Sequence, residues 1–564
     1  MAKLTGAEIT IRLLERQGIR VIPGIPGGSN LPLYDALSQS TQIRHVLTRH
    51  EQAAGFIAQG MARVSGRPQA CFTTSGPGVT NILTAIADAK LDSIPLICIT
   101  GQVPRSMIGT DAFQEVDSYG MSIPITKHNF LVGSAADLLE IIPEAFRIAA
   151  SGRPGPVLID LPKDVQTEYV EFQKWPEAGR PDAPPDFDLT DIQRAAELIN
   201  TARRPILYLG GGVIHSGAGP LAARLAEKGS IPVTMTLMGL GAVPTDHPRS
   251  LGMLGMHAAR YTNLALEHCD LLIAAGVRFD DRATGNPSHF CKTANIVHID
   301  IDRSEIDKIK QAHVGIVGDV GKVLGALLPM VGENPREDWL EFVSDLKGNY
   351  SSPGLDSRDN LRNPHALIRR VAELLDEEAI VATDVGQHQM WTAQTYPFRR
   401  SRQWLTSGGL GTMGFGLPAS IGAALACPDR KVVCFSGDGS LMMNIQELAT
   451  AAEQDVDITI VLMDNNSLGL VHQQQDLFYG GRIYECTYRT QADFIKIAAG
   501  FDMRAIDLGT SADPMTALAQ AFEKPGPCLI RAQIERSAKV YPMVPPGAAN
   551  KIMIGGESSA CAIL

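Results

Sequence analysis

Short apolar runs recur along the chain, and segments with apolar positions at helical spacing lie between them. The runs at 19–24, 69–74, 96–100 and 157–160 predict strands in the first third of the chain. Those at 205–209, 270–274 and 296–301 predict strands in the middle, and those at 379–382, 431–436, 458–463 and 528–532 in the last third. Strands that alternate with helices predict parallel sheets covered on both faces, an α/β architecture. At the start, Thr5 and Glu8 have capping-box spacing and precede Ile9, Ile11, Leu13 and Leu14, and residues 1–18 read as an amphipathic helix.

Two breaks divide the pattern. Residues 174–188 are rich in proline and charge, and residues 348–363 are polar with proline and glycine, so both read as linkers. The blocks that remain are 1–173, 189–347 and 364–564, each the size of one doubly wound domain. Three domains fit a chain of 564 residues.

Composition narrows the function. Hydrophobic residues make up 45% and charged residues 20%, as in soluble globular proteins. A net charge of −11 and an aromatic content of 6% argue against a nucleic-acid partner. No apolar stretch reaches the ~18 residues of a membrane span, and no signal-peptide h-region is evident, so no membrane association and a cytoplasmic location are expected. The nine cysteines form no Cys-x-x-Cys pair and read as reduced thiols, mostly packed in cores. The last four residues, Cys561-Ala562-Ile563-Leu564, fit a prenylation box, but no polybasic stretch precedes them, and chance is the better reading. The 54 glycines point to tight turns and to backbone that approaches ligands closely.

The strongest chemical signal lies in the third block. The strand at 431–436 runs into Gly437-Asp438-Gly439 and a helical stretch from Ser440, and the strand at 458–463 runs into Asp464-Asn465-Asn466. Parallel strands bind ligands beyond their carboxyl ends, so Asp438 and Asn465 should emerge at one sheet edge. Their hard oxygens suit Mg²⁺, and the glycines with the following helix start suit an anion. Either turn alone is common. Together, with twenty-five residues between Gly439 and Asn465, they resemble the thiamine-diphosphate fingerprint. In the first block, Arg49-His50-Glu51 after a strand matches that family's activating glutamate. Thr74-Ser75-Gly76-Pro77-Gly78 adds a glycine-rich strand-to-helix turn at the expected edge.

The whole chain then resembles the large, catalytic subunit of acetohydroxyacid synthase, also called acetolactate synthase. The resemblance rests on Gly24 through Gly28 (GIPGG), Leu91 through Pro95 (LDSIP), Gly109 through Glu115 (GTDAFQE), Leu251 through His257 (LGMLGMH), Arg278 through Arg282 (RFDDR), Asp384 through Trp391 (DVGQHQMW), Gly408 through Gly416 (GGLGTMGFG) and Tyr541 through Asn550 (YPMVPPGAAN). Leu468 through Gln475 (LGLVHQQQ) departs from the family's commoner LGMVRQWQ and resembles the bacterial isozyme I type.

The resemblance implies three doubly wound parallel-sheet domains of the thiamine-diphosphate enzyme fold: pyrimidine-binding, FAD-binding and diphosphate-binding in chain order. It implies decarboxylation of pyruvate and carboligation to a second 2-oxo acid, either pyruvate or 2-oxobutanoate, at the start of branched-chain amino acid synthesis. Glu51 would bond the pyrimidine N1′. Gln387, His388, Gly411, Gly437, Gly439 and Ser440 would line the cofactor, with Met413 propping it in its bent form. Asp438, Asn465 and Ser467 would hold Mg²⁺. Phe113, Gln114, Lys163 and Gln474 match positions lining the substrate channel. For FAD, the implied residues are Arg153, Gly211, Gly212, His257, Arg278, Asp281, Arg282, Asp300 and Asp319, and the flavin would be structural because the net reaction moves no electrons. A homodimer or tetramer, with sites shared between subunits, and a small regulatory subunit would complete the assembly.

Bland readings stand beside these. Lys163 without the family reads as a solvated loop charge, Met413 as a core thioether and Gln474 as a solvent-facing loop residue. A pyruvate oxidase-like enzyme would share all three cofactors but use the flavin for redox, and RFDDR and LVHQQQ favour the synthase. Glyoxylate carboligases lack the glutamate matched by Glu51. A non-catalytic relative would be expected to lose Glu51, Asp438 or Asn465, and all three are present.

Overall fold

A computed structural model describes residues 2–350 and 360–555. Three six-stranded sheets dominate them, and every strand pair within each sheet is parallel. The central strands are buried along their whole length, for example Leu96–Gln102, Val157–Pro162, Val432–Gly437 and Ile458–Asp464. Helices cover both faces, so these strands carry continuous apolar runs rather than alternation. The architecture is α/β throughout, with three such layered units in series.

The first sheet takes the spatial order Arg44–Leu47, Val21–Gly24, Gln69–Thr73, Leu96–Gln102, Val157–Pro162, His128–Leu131. The third takes Trp404–Leu405, Ile380–Thr383, Val432–Gly437, Ile458–Asp464, Cys528–Gln533, Arg504–Asp507. Numbered within each sheet, both run 2-1-3-4-6-5, so these two sheets share one topology. The middle sheet runs Ser250–Met253, Val233–Met235, Pro205–Leu209, Leu271–Ala275, Asn295–Asp300, Val314–Val317. That is the 3-2-1-4-5-6 order of dinucleotide-binding sheets, whose ligand crevice opens where the order reverses, between Pro205–Leu209 and Leu271–Ala275.

Two local expectations change. The N-terminal helix is Gly6–Arg16, and the capping box at Thr5 and Glu8 is formed. The residues before it are not helical: Ala2–Thr5 pair antiparallel with Tyr169–Phe172, because the helix cannot extend past its cap. The second linker is shorter than expected, since helix Glu337–Asn349 runs into it on Trp339 and Val343, which are buried against the middle sheet. Residues 351–359 and the Cys561 box lie outside the described residues.

The first and third units meet through helices Glu51–Ser65 and Gly416–Ala426. A Cβ at Gly60 would strike the Ala419 carbonyl, and one at Gly422 the Ile57 carbonyl, so backbone packs on backbone. Phe56 and Phe415 stack edge to face at 5.3 Å beside this contact. One apolar core runs from the first sheet into the third, and another joins the middle unit to the third.

Candidate active site and nucleotide groove

Strands Val432–Gly437 and Ile458–Asp464 are neighbours in register, with Gly437 beside Met463. Both therefore deliver their following turns to one edge. Asp438 opens a short helix, two residues earlier than the sequence pattern suggested. Its Oδ2 accepts the Ser467 N–H at 3.0 Å. Burial, and Asp464 nearby, push its carboxyl up to about 7. Among the described residues no cation of the chain pairs with it, so the donor set favours an external cation. Asn465 gives its amide N–H to Gln387 Oε1 at 3.2 Å, which leaves the carboxamide oxygen as its acceptor. Ser467 is buried, with its hydroxyl donated to the Cys486 carbonyl at 2.9 Å.

The phosphate side of this edge is built from backbone and one imidazole. His388 is buried, burial holds its ring neutral with a pKa near 3, and its Nε2 has no partner among the described residues. A Cβ at Gly437 would meet that ring, and one at Gly439 would meet Leu468 and the Tyr488 hydroxyl. An unpartnered ring nitrogen beside side-chain-free backbone fits a diphosphate. Ser440 Oγ donates to the Val385 carbonyl at 3.2 Å. Gln387 is fixed by donating to Gln473 Oε1 and to the Ala538 carbonyl.

Met413 is half-buried, and its methyl lies beside the space over Gly439. Its turn is clamped on both sides of the next peptide. Gly414 N–H donates to Asp384 Oδ1 at 2.7 Å, and Asn444 donates to the Gly414 carbonyl at 2.8 Å. Asp384 is fully buried, which raises its carboxyl to about 6. Sequence reasoning quoted Asp384 only inside a motif and missed its role as the anchor of this turn.

In the first unit, Glu51 is the first residue of helix Glu51–Ser65 and is buried, with Asn81 donating to its Oε2 at 2.9 Å. Its Oε1 lies 3.6 Å from where a Cβ on Gly78 would sit, so the glycine-rich turn 74–78 walls the same spot. Thr74 Oγ1, also in that wall, is buried with no partner among the described residues. Gln114 rests over Gly76 with a positive φ of 60°. Phe113 beside it is 88% exposed. Glu115 closes this loop by accepting N–H groups of Thr110 and Ala112, at 3.2 and 3.0 Å, and of Gly109. Lys163 is half-buried and starts the short helix after strand Val157–Pro162.

Within one chain, no hydrogen bond joins Glu51 to the edge around Asp438 among the described residues. Both half-sites carry exposed apolar side chains: Phe113 and Met107 on one, Leu410, Met442, Met443 and Tyr484 on the other.

At the crevice of the middle sheet lies a cavity of about 900 Å³. Gly211 and Gly212 line it after strand Pro205–Leu209, and in the same turn Gly210 and Gly212 lie too close to Gly276 for any Cβ. Arg153, His257, Arg278 and Asp281 line it too, as do Arg282, Asp300 and Asp319. His257 is buried and neutral, with a pKa near 4, and its Nδ1 has no partner among the described residues. Asp300 is raised to about 6 by burial, and among the described residues its carboxyl accepts only the Asp302 N–H. These two unspent polar groups fit a nucleotide ligand. Three of the others are already engaged: Arg153 pairs with Glu305 at 2.7 Å, Arg278 donates to the Leu91 carbonyl, and Asp319 caps the helix after it.

The cavity extends to Gly411 and Gln474. Gln474 is exposed on helix Gly469–Phe478, not on a loop. Its neighbour Gln473 sets the helix rotation by exchanging two hydrogen bonds with the Val540 backbone and accepting from Gln387.

Three family models match in chain order: "Thiamine pyrophosphate enzyme, N-terminal TPP binding domain" over residues 4–121, "central domain" over 192–327, and "C-terminal TPP binding domain" over 384–532. The chain is 60% identical over 553 residues to the acetolactate synthase isozyme 1 large subunit of Escherichia coli K12, covering 98% of each. It is 43% identical to the isozyme 2 large subunit of the same organism, over 98% of this chain and 99% of that one. A probable acetolactate synthase large subunit of Methanocaldococcus jannaschii is 45% identical over 96% of this chain and 94% of its own.

Proposed function

The chain belongs to the acetolactate synthase large subunits within the thiamine pyrophosphate enzymes, and from that premise we infer how its residues divide the work. It joins the two-carbon unit of one pyruvate to a second 2-oxo acid with release of CO₂, giving 2-acetolactate or 2-aceto-2-hydroxybutyrate. The observation that carries this reading is the paired turn edge, with Asp438 and Asn465 presented together beside the unpartnered His388.

Thiamine diphosphate supplies an electron sink for decarboxylation and a carbon nucleophile for ligation. Asp438 and Asn465, with Ser467 adjoining, hold Mg²⁺. His388, Gln387, Ser440 and the backbone of Gly437 and Gly439 receive the diphosphate, and Gly411 and Met413 shape the space beside it. Glu51, oriented by Asn81, would share a proton with the pyrimidine N1′. Lys163 gives the substrate carboxylate a positive partner in a protein of net charge −11. Phe113, Gln114 and Gln474 flank the entering 2-oxo acids.

Both half-sites of one chain expose apolar surface, and among the described residues no hydrogen bond joins Glu51 to the edge around Asp438, which supports assembly of each site from two copies. A homodimer or tetramer is the working form, and a small regulatory subunit accompanies it, as the relatives' designation "large subunit" suggests. The 900 Å³ crevice holds FAD in a structural role. Among the described residues no helix is long and apolar enough to cross a membrane, and all eight described cysteines are free thiols, which supports a cytoplasmic enzyme.

The test is incubation with pyruvate, thiamine diphosphate and Mg²⁺, with and without FAD, and identification of the product. 2-Acetolactate and CO₂ in two-to-one consumption of pyruvate support the reading. Acetate formation with uptake of oxygen or reduction of quinone would replace it with an oxidase.

A further inference from the structure

Glu447 is fully buried at the start of helix Glu447–Gln454 in the third unit. Two of its three partners come from the first unit. Oε1 accepts the Arg49 N–H at 3.0 Å, the His50 N–H also bonds to this carboxyl, and Thr450 donates to Oε2 at 2.6 Å. These two backbone groups are the last before Glu51. The Arg49 side chain grips the same helix, pairing with Glu453 and donating to Thr450 Oγ1. The His50 ring then caps the next turn by accepting the Gln52 N–H at 3.1 Å.

We propose that Glu447 is a positioning residue: its carboxylate fixes the backbone of Arg49 and His50 so that Glu51 projects at the angle its proton transfer needs. The inference rests on the reading of Glu51 as the activating acid.

Three donors converge on Glu447: two backbone N–H groups and one hydroxyl. A carboxylate is acceptor-only and can satisfy all three, whereas an amide turns an NH₂ toward that shell. Burial without a direct ion pair is costly, and it raises the carboxyl to about 7. A plain core contact between the two units would be met by an apolar residue, as at Phe56 and Phe415. Glu51 sits where a helix begins, and a helix start is held in place only by its caps. Here Arg49 and the capping His50 are themselves held by the unit that carries the Asp438 turn, nine residues before Glu447. One chain thus builds the seat of its own acid with its own diphosphate-binding unit.

The test compares hydrogen–deuterium exchange at C2 of bound thiamine diphosphate, and cofactor Kd, in the full-length holoenzyme. The proteins are wild type, Glu447→Ala, Glu447→Gln, Glu51→Gln and the double variant Glu51→Gln/Glu447→Ala. Glu447→Ala should slow exchange roughly 10–100-fold while Kd moves less than about threefold, the signature of misplacement rather than lost binding. Glu447→Gln should fall between, and it serves as the folded test should Glu447→Ala not accumulate. In the Glu51→Gln background Glu447→Ala should add no further slowing, because it acts through Glu51. Wild-type exchange in both Glu447 variants, or independent slowing in the double variant, would overturn the proposal. Wild-type exchange in Glu51→Gln alone would instead overturn the reading of Glu51.

Discussion

Ser467 donates its backbone N–H to Asp438 Oδ2 at 3.0 Å, which ties together the turns after two adjacent strands. A carboxylate held this way and pushed toward neutrality by burial gains most from a divalent cation. Asp438→Ala should abolish turnover and weaken thiamine diphosphate binding, because the diphosphate charge loses its counter-ion. Excess Mg²⁺ should rescue it poorly. A cofactor titration across a range of Mg²⁺ concentrations checks this, and normal turnover at ordinary cofactor levels would contradict it.

Glu51→Gln keeps the size and the contact with Asn81 but cannot share a proton with N1′. Turnover should fall by at least the ~10²–10⁴-fold typical of a lost general acid–base group, with cofactor binding affected far less. Steady-state kinetics beside a direct Kd measurement separates the two. Equal losses in both would assign Glu51 to binding.

Much of the fold was legible because the central strands are buried on both faces. Runs such as 205–209 and 458–463 had to be continuous apolar stretches, and they fall on Pro205–Leu209 and Ile458–Asp464. The edge strands were not legible. Arg44–Leu47 and Arg504–Asp507 are short and half-polar, because one side of each meets solvent or a helix end. At the site, Asp438 and Asn465 were readable because a strand, a turn and a carboxylate coincide in sequence. Glu447 and Asp384 were not, since what marks them is burial against distant backbone: Arg49 for one and Gly414 for the other. Nothing in a linear pattern records such partners.

Gln474 lines the nucleotide cavity from a helix whose rotation Gln473 fixes, and with the role proposed for it the side chain at 474 is expected to bear on the acceptor. 2-Oxobutanoate exceeds pyruvate by one methylene. Burying it is worth about 0.8 kcal/mol from transfer and ~1–3 kcal/mol where a pocket fits it. A glutamine amide offers little apolar surface, so the protein should show little preference for 2-oxobutanoate. Gln474→Trp should raise the share of 2-aceto-2-hydroxybutyrate from mixed acceptors. An unchanged product ratio, or a strong native bias toward 2-oxobutanoate, would remove Gln474 from acceptor choice.

Asp160, at the end of the first sheet, is buried and accepts from Thr100 at 2.7 Å, from Gln102 at 3.0 Å and from Ser118. Gln102 also donates to the Val116 carbonyl, so this cluster pins the segment that carries Phe113 and Gln114. Burial raises the Asp160 carboxyl to about 6 from an unfolded value of 3.8. A raised folded pKa stabilises the protein below the unfolded value, and that stability is lost as pH rises through about 6. Asp160→Asn should therefore cost more stability at pH 5 than at pH 8, by about 1–1.5 kcal/mol from the linkage relation. Thermal or denaturant unfolding of both proteins at the two pH values reads it, and an equal cost at both would contradict it.

A Glu51 half-site from one copy and an Asp438 half-site from another are expected to convert pyruvate to 2-acetolactate together. The most direct measurement is acetolactate formation by the co-expressed, differently tagged variants Glu51→Gln and Asp438→Ala, purified as the mixed dimer. Each variant alone is expected to be inactive. A mixed dimer holds one intact site of two, so it should recover about half of wild-type activity. Inactivity of the mixed dimer, with both cofactors and Mg²⁺ saturating, would show that Glu51 and Asp438 serve the site of a single chain.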